Sequence, residues 1–302
     1  MNQHSPLRQT GSLLERAADL YGFGFAPAPA PAPAPSAAEA ALPAPEPEVT
    51  RPKPVRVPSG GKASVDRDKL RELGFIVPEA PAGPLAEEFR LVKRQLLLGA
   101  APGSSVADEK RQTVLVCSSQ PDEGKTFCAL NLALSIAGER EHEVLLVDAD
   151  FPKPEILSIL GIEAGRGFVD ALADPSIDPE SLVVRTDIGS LSLLPAGRHA
   201  NDVPELLGSE RTREVLERLT AGRPNRIVLF DSPPALMASA ASVLATHVGQ
   251  LVMVVRADRT TEADLKEAVA MLSGCRQISL LLNGTGFAAT GRKFGSYYGY
   301  GQ

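Results

Sequence analysis

The stretch Val114–Thr126, VLVCSSQPDEGKT, most constrains what this chain can fold into. An apolar run of strand character, Val114–Cys117, leads into a loop ending Gly124-Lys125-Thr126, and helical sequence follows at once from Phe127 to Ala137. That order describes a loop that cradles phosphate. Backbone N–H groups at the helix N-terminus face phosphate oxygens, and the helix dipole favours their charge. The predicted contacts are Ser119, Gln120, Pro121, Asp122, Glu123, Gly124, Lys125, Thr126 and Phe127. Lys125 is expected to reach the β- and γ-phosphates of a nucleoside triphosphate, and the Thr126 hydroxyl to meet Mg²⁺. Ser119 stands where the G-x-x-x-x-G-K-[ST] pattern has its first glycine. Taken alone, therefore, these residues also fit a surface turn capping a buried helix.

From Val114 onward, apolar strands alternate with amphipathic helices. The pattern predicts an α/β fold: a mostly parallel sheet with helices on both faces. The strand candidates are Val114–Cys117, Val144–Val147, Leu191–Leu194, Ile227–Phe230, Leu251–Val255 and Ile278–Leu282. In such sheets ligands collect beyond the carboxyl ends of the strands. Asp148 and Asp150 follow the second candidate, and Asp231 follows the fourth. A lone acid at a strand end is often a cap or turn former. Three of them beside Gly-Lys-Thr point to a nucleotide–Mg²⁺ site, with Asp231 and Asp148 near the metal and its waters.

Net charge of −6 over 302 residues argues against a nucleic-acid surface. No apolar run approaches the roughly 20 residues that cross a bilayer, and the N-terminus lacks a basic-then-apolar secretion pattern. Cys117, Cys128 and Cys275 show no C-x-x-C pairing and read as buried free thiols. His4, His142, His199 and His247 lack metal-ligand spacing. A cytoplasmic protein is expected.

Five segments follow along the chain. Residues 1–25 include GSLLERAADLY, 11–21, which reads either as a docking helix that orders on a partner or as disorder. Residues 26–64 are a Pro/Ala-rich linker of polyproline II character. Residues 65–110 carry a short helix, Asp68–Leu73, and a longer one, LAEEFRLVKRQLLL, with a charged stripe of Glu87, Arg90 and Arg94. Residues 111–289 form the nucleotide-binding domain, and 290–302 a Gly/Tyr-rich tail. Of four tyrosines, Tyr297, Tyr298 and Tyr300 lie in the final six residues. Interleaved glycines make that tail a poor helix or strand.

SSQPDEGKT, LLVDADFPKP and IVLFDSPP resemble the Walker A, A′ and B motifs of the bacterial protein-tyrosine kinases, which are built on the P-loop ATPase core. More narrowly, AEEFRLVKRQLL and the separate N-terminal segment resemble exosortase-associated tyrosine autokinases of exopolysaccharide clusters. The resemblance spans roughly 66–302. It implies a MinD/ParA-like core, ATP and Mg²⁺, and autophosphorylation of Tyr297, Tyr298 and Tyr300. It also implies ring-like self-association through Glu87, Arg90 and Lys93, where Lys93 stands in place of the usual Arg. A membrane chain-length-determinant protein is the implied activator, at the inner face of the cell membrane. Asp148 becomes the residue that takes or orients the tyrosine proton, Asp150 supports metal or tail, and Lys125 stabilises charge on the β/γ bridge. Asn283 falls where related ATPases recognise adenine, although Asn before Gly is also a common turn. Walker A′ usually carries Arg two residues after its second Asp; here Pro152 takes that place and Lys153 follows. Asp122 stands where glycine is common and must point away from phosphate. The ATPases that position septa and partition plasmids carry a signature lysine at the position of Gln120, which counts against them. A switch ATPase with an adhesive tail remains the alternative, and a nucleotide-binding scaffold the third reading.

Overall fold

The computed structural model describes residues 62–198 and 202–285. The docking segment 11–21, most of the linker and the tyrosine tail lie outside the described residues, as do His4 and His199. The six expected strands are present as β1 (Thr113–Ser118), β2 (Glu143–Asp148), β4 (Leu191–Leu194), β5 (Arg226–Asp231), β6 (Gln250–Arg256) and β7 (Ile278–Asn283). A two-residue strand, β3 (Val184–Arg185), joins them. The sheet order is β3-β4-β2-β5-β1-β6-β7, and every pairing is parallel except β3 with β4.

The inner strands read as continuous apolar runs because both sheet faces are covered there. Side chains alternate across the sheet. Leu115 and Cys117 of β1 join Leu145, Val147, Val228 and Phe230 in one core. Val114 and Val116 join Val144, Leu146, Ile227 and Leu229 in the other. Beneath the first face lies Phe168, its ring 5.8 Å from that of Phe230. The second face is covered by helix α3 (Lys125–Ala137), whose Leu, Ala and Ile residues make up about half of it and which is buried along most of its length.

The short N-terminal helix is α1 (Arg67–Glu72). Asp66 caps it by accepting from the backbone N–H of Lys69 at 2.9 Å. Gly74, at φ 78°, takes the left-handed turn beyond its end. Helix α2 (Pro84–Ala100) begins with proline in its first turn and packs against α3. Packing starts earlier than the linker boundary suggests, since Ala63 is buried and bridges Thr186.

β1 lies inside the sheet, between β5 and β6. The chain leaving β1 crosses to β2 on one side, whereas β5 is followed by β6 on the other. The carboxyl end of β1 therefore opens at a switch point, where such sheets bind ligands. β7 ends the sheet among the described residues, and Leu280 and Leu282 on it are exposed, as are Leu91 and Leu98 of α2. No helix among the described residues is long and apolar enough to cross a membrane.

Candidate active site

Ser118 closes β1, and the loop 119–124 delivers the chain to α3. Gly124, at φ 93°, caps the helix without a side chain. A Cβ there would stand 2.1 Å from Asn283 Nδ2, so glycine is needed for both angle and space. The segment after β5 braces the loop: Ala235 N–H donates to Ser118 O at 2.8 Å and Leu236 N–H to Ser119 O at 3.2 Å. Asp122, also in a left-handed conformation at φ 61°, is exposed, as a carboxylate beside a phosphate loop has to be. The first N–H groups of α3 have no acceptor in the helix itself and open toward the strand ends.

Four charged side chains converge on that opening. The Lys125 ammonium lies 2.6 Å from Asp150 Oδ2, with the two side chains 14% and 6% exposed. Asp148 and Asp231 sit opposite each other at the ends of neighbouring strands. Both are buried, and each has one oxygen, Oδ1, with no hydrogen-bond partner; Ser119 Oγ is similarly unpartnered. Asp148 Oδ2 accepts from the Ile156 N–H at 3.2 Å. Burial, then the charge of Asp231, pushes the Asp148 carboxyl up to about 8. Burial raises Asp231 to about 7, against the pull of Lys125 and of the Thr126 side chain. Burial alone would lower Lys125; the charge of Asp231 and the bond to Asp150 outweigh it and leave the ammonium raised.

Two buried carboxylates short of partners are a strained arrangement in isolation, and a cation relieves it. Among the described residues no three His, Cys, Asp or Glu side chains form a metal cage. Mg²⁺ keeps several waters and takes one or two carboxylates plus substrate phosphates. Thr126, Asp148 and Asp231 are the residues that would hold it.

The remaining candidates separate. Phe127 turns from the opening and packs on Phe75, ring centroids 5.1 Å apart. The Asn283 side-chain amide donates to the Glu123 carbonyl at 2.9 Å, which fixes it against the loop backbone. Lys153 is exposed and pairs with Glu155 at 3.0 Å. In α2, Glu87 and Arg90 form an exposed pair with each other. Lys93 turns inward instead, pairing with Glu139 and donating to the Ser135 carbonyl at 3.2 Å. All three cysteines are buried free thiols, and burial pushes Cys117 up to about 11 and Cys128 to about 12. Arg256, Thr260 and Asp264 touch the phosphate loop and were not singled out from sequence. Applied to β6, the strand-end rule points to Arg256.

A phosphate loop at the switch point of a parallel sheet, with acids at the ends of adjoining strands, defines a P-loop nucleotide-binding domain. The VpsO kinase domain, a solved structure, is 30% identical, covers 72% of this chain and 97% of its own, and superposes with a TM-score of 0.57. The tyrosine-protein kinase YwqD of Bacillus subtilis (strain 168) is 26% identical over 236 residues, 78% of this chain and 93% of that protein. The tyrosine-protein kinase wzc of Salmonella typhimurium (strain LT2) is 31% identical over 196 residues, 63% of this chain but 26% of that protein. No family model matches the chain. The chain belongs to the bacterial protein-tyrosine kinase family. It spans about a quarter of the length of several curated relatives, and nearly all of YwqD.

Proposed function

We propose that this chain is an ATP-dependent protein-tyrosine autokinase that transfers the γ-phosphoryl group of ATP to Tyr297, Tyr298 and Tyr300 of its own tail. The observation that carries this reading is the convergence of Lys125, Asp148, Asp150 and Asp231 at the mouth of the phosphate loop. In the reaction the phenol oxygen bonds to the γ-phosphorus as the bridging P–O bond breaks and ADP leaves. The phenol, with a pKa near 10, must give up its proton. Asp148, whose Oδ1 is unpartnered at the end of β2, is the candidate to accept that proton or to orient the hydroxyl through the metal shell, a role that needs its carboxyl ionised by the charge of Lys125 and a bound cation. Lys125 leaves Asp150 to neutralise charge on the β/γ bridge, and the α3 N–H groups orient the phosphates. Mg²⁺ bound near Asp148, Asp231 and Thr126 supplies charge neutralisation for the phosphoryl oxygens.

From Asn283 to Tyr297 is about 14 residues, up to about 45–50 Å of extended chain. That length reaches a neighbouring subunit's site. We place the enzyme in a ring-like homo-oligomer whose contacts include the exposed Glu87 and Arg90. It acts in the cytoplasm at the inner face of the membrane with a chain-length-determinant partner, regulating exopolysaccharide synthesis. Each phosphate adds about −1.5 to −2 charges to the tail, and the repulsion loosens the ring. Full-length protein incubated with Mg²⁺-ATP and probed for phosphotyrosine tests the reading. Labelling is expected, and it should vanish when all three tail tyrosines are replaced by phenylalanine. Phosphate release without tyrosine labelling would overturn the kinase in favour of a switch ATPase.

A further inference from the structure

Glu123 is a buried acid in a loop that must accept phosphate, 0% exposed and one residue from the glycine that caps α3. A carboxylate there is repelled by phosphate and costs desolvation, so its retention needs a compensating role. Its surroundings supply one. Oε2 accepts the Gln120 N–H at 2.9 Å, closing the front of the loop on itself. Oε1 accepts the hydroxyl of Thr260, which is anchored in turn by the Arg256 N–H at 2.8 Å. The Glu123 carbonyl accepts from Asn283, and the neighbouring Asp122 carbonyl from Arg256 Nη1 at 3.2 Å. Gln120 Nε2 reaches Asp264 at 3.4 Å. Apart from the Glu123–Gln120 bond inside the loop, these ties run from the phosphate loop to the segment 256–264 or the end of β7. Both carboxylate oxygens are thereby committed to protein partners, Gln120 N–H and Thr260 Oγ1, neither of them in the Lys125–Asp150 pair.

We propose that Glu123 is a positioning residue for nucleotide binding: its carboxylate clamps the phosphate loop to Thr260 and holds the α3 N–H groups in a phosphate-ready arrangement. The inference rests on the proposed phosphate-binding role of the loop. The Gln120 N–H, occupied by Glu123, is then not a phosphate donor, so binding falls to the N–H groups at the α3 start. The acid never touches nucleotide; it acts through the backbone.

The test uses the full chain and a fluorescent ADP analogue with Mg²⁺, read by equilibrium titration, beside urea midpoints and tyrosine-labelling kinetics. Glu123→Ala should weaken analogue binding roughly tenfold, the scale of losing an ordinary hydrogen bond and leaving its partner unpaired. KM for ATP should rise while kcat at saturating ATP stays within about twofold, because the reacting groups are untouched. Glu123→Gln keeps an acceptor for Gln120 and should restore near-wild-type affinity. Thr260→Val, which keeps shape and loses the hydroxyl, should weaken binding about threefold and add little to Glu123→Ala. Unchanged affinity in folded Glu123→Ala, or equal weakness in the Gln and Ala variants, overturns the clamp. Should Glu123→Ala fail to fold, unchanged affinity in Thr260→Val overturns it instead. Wild-type protein that binds no analogue refutes the phosphate-loop reading itself, a result distinct from failure of the clamp.

Discussion

Replacing the P-loop lysine should damage the fold as well as the chemistry. Lys125 and Asp150 make a 2.6 Å ion pair with both side chains largely out of water. Lys125→Met keeps the length of the stem but leaves Asp150, and beside it Asp231, without its cation. Removing one member of a buried pair costs about 3–5 kcal/mol, because the survivor is uncompensated. The ammonium retains some solvent, so about 3 kcal/mol is the expected loss at pH 7.5. Urea unfolding of metal-free full-length protein reads this as a lowered midpoint with little change in slope. The double variant Lys125→Met/Asp150→Asn buries no orphaned charge at that pair and should regain most of the loss. A single variant with the wild-type midpoint would refute the reasoning, as would a double variant no better than the single. If the expectation holds, lost labelling in Lys125→Met has two causes, and the double variant separates them.

Asp148 and Asp231 set a pH dependence. Their folded carboxyls lie near 8 and near 7, against an ordinary 3.8, so the folded protein holds protons that the unfolded chain has released. Metal-free stability from this pair is greatest below about pH 4 and falls as pH rises, until about 7 for Asp231 and about 8 for Asp148, by up to about 1.4 kcal/mol per pH unit for each group. Asp148→Asn removes one group; in urea titrations with EDTA its stability relative to wild type should climb between pH 5 and 8, and parallel curves would contradict this. Gly124→Ala puts a methyl group against the Asn283 amide at φ 93°, and should cost about 2 kcal/mol in thermal or urea unfolding while abolishing nucleotide binding. Lys93→Met should cost about 1 kcal/mol by breaking a partly exposed pair, with no change of oligomer size. Arg90→Ala should do the reverse, lowering the mass seen by light scattering while leaving the unfolding midpoint within about 0.5 kcal/mol.

The sheet was legible because its inner strands are buried on both faces, and a run such as Ile227–Phe230 cannot be mistaken for solvated chain. β3 escaped notice because two residues carry no periodicity and pair only across a turn. Strand ends located Asp148, Asp150 and Asp231, since a parallel sheet puts its ligand-facing residues there. Which acid would meet Lys125 was not legible: that choice depends on side-chain reach after β2, where Asp150 lies beyond the strand and Asp148 within it. Glu123 was invisible as a clamp for a similar reason. An acid in a loop reads as solvated, and only the fold brings Thr260, 137 positions away, against it. Lys93 looked equivalent to Arg90 on the helix face, yet one turn of α2 places it over the end of α3 and Glu139.

The side of β7 that no described strand covers bears on how the tail should be interrogated. A strand flank left unpaired among the described residues, beside exposed leucines, is a template for unwanted pairing between molecules. Cutting the chain just past Asn283 would leave that flank as a terminus, and any lost labelling could then stem from clumped protein. Exchanging phenol for phenyl at the three tail positions removes the acceptor oxygens and keeps every peptide unit, so solubility and chemistry are no longer confounded.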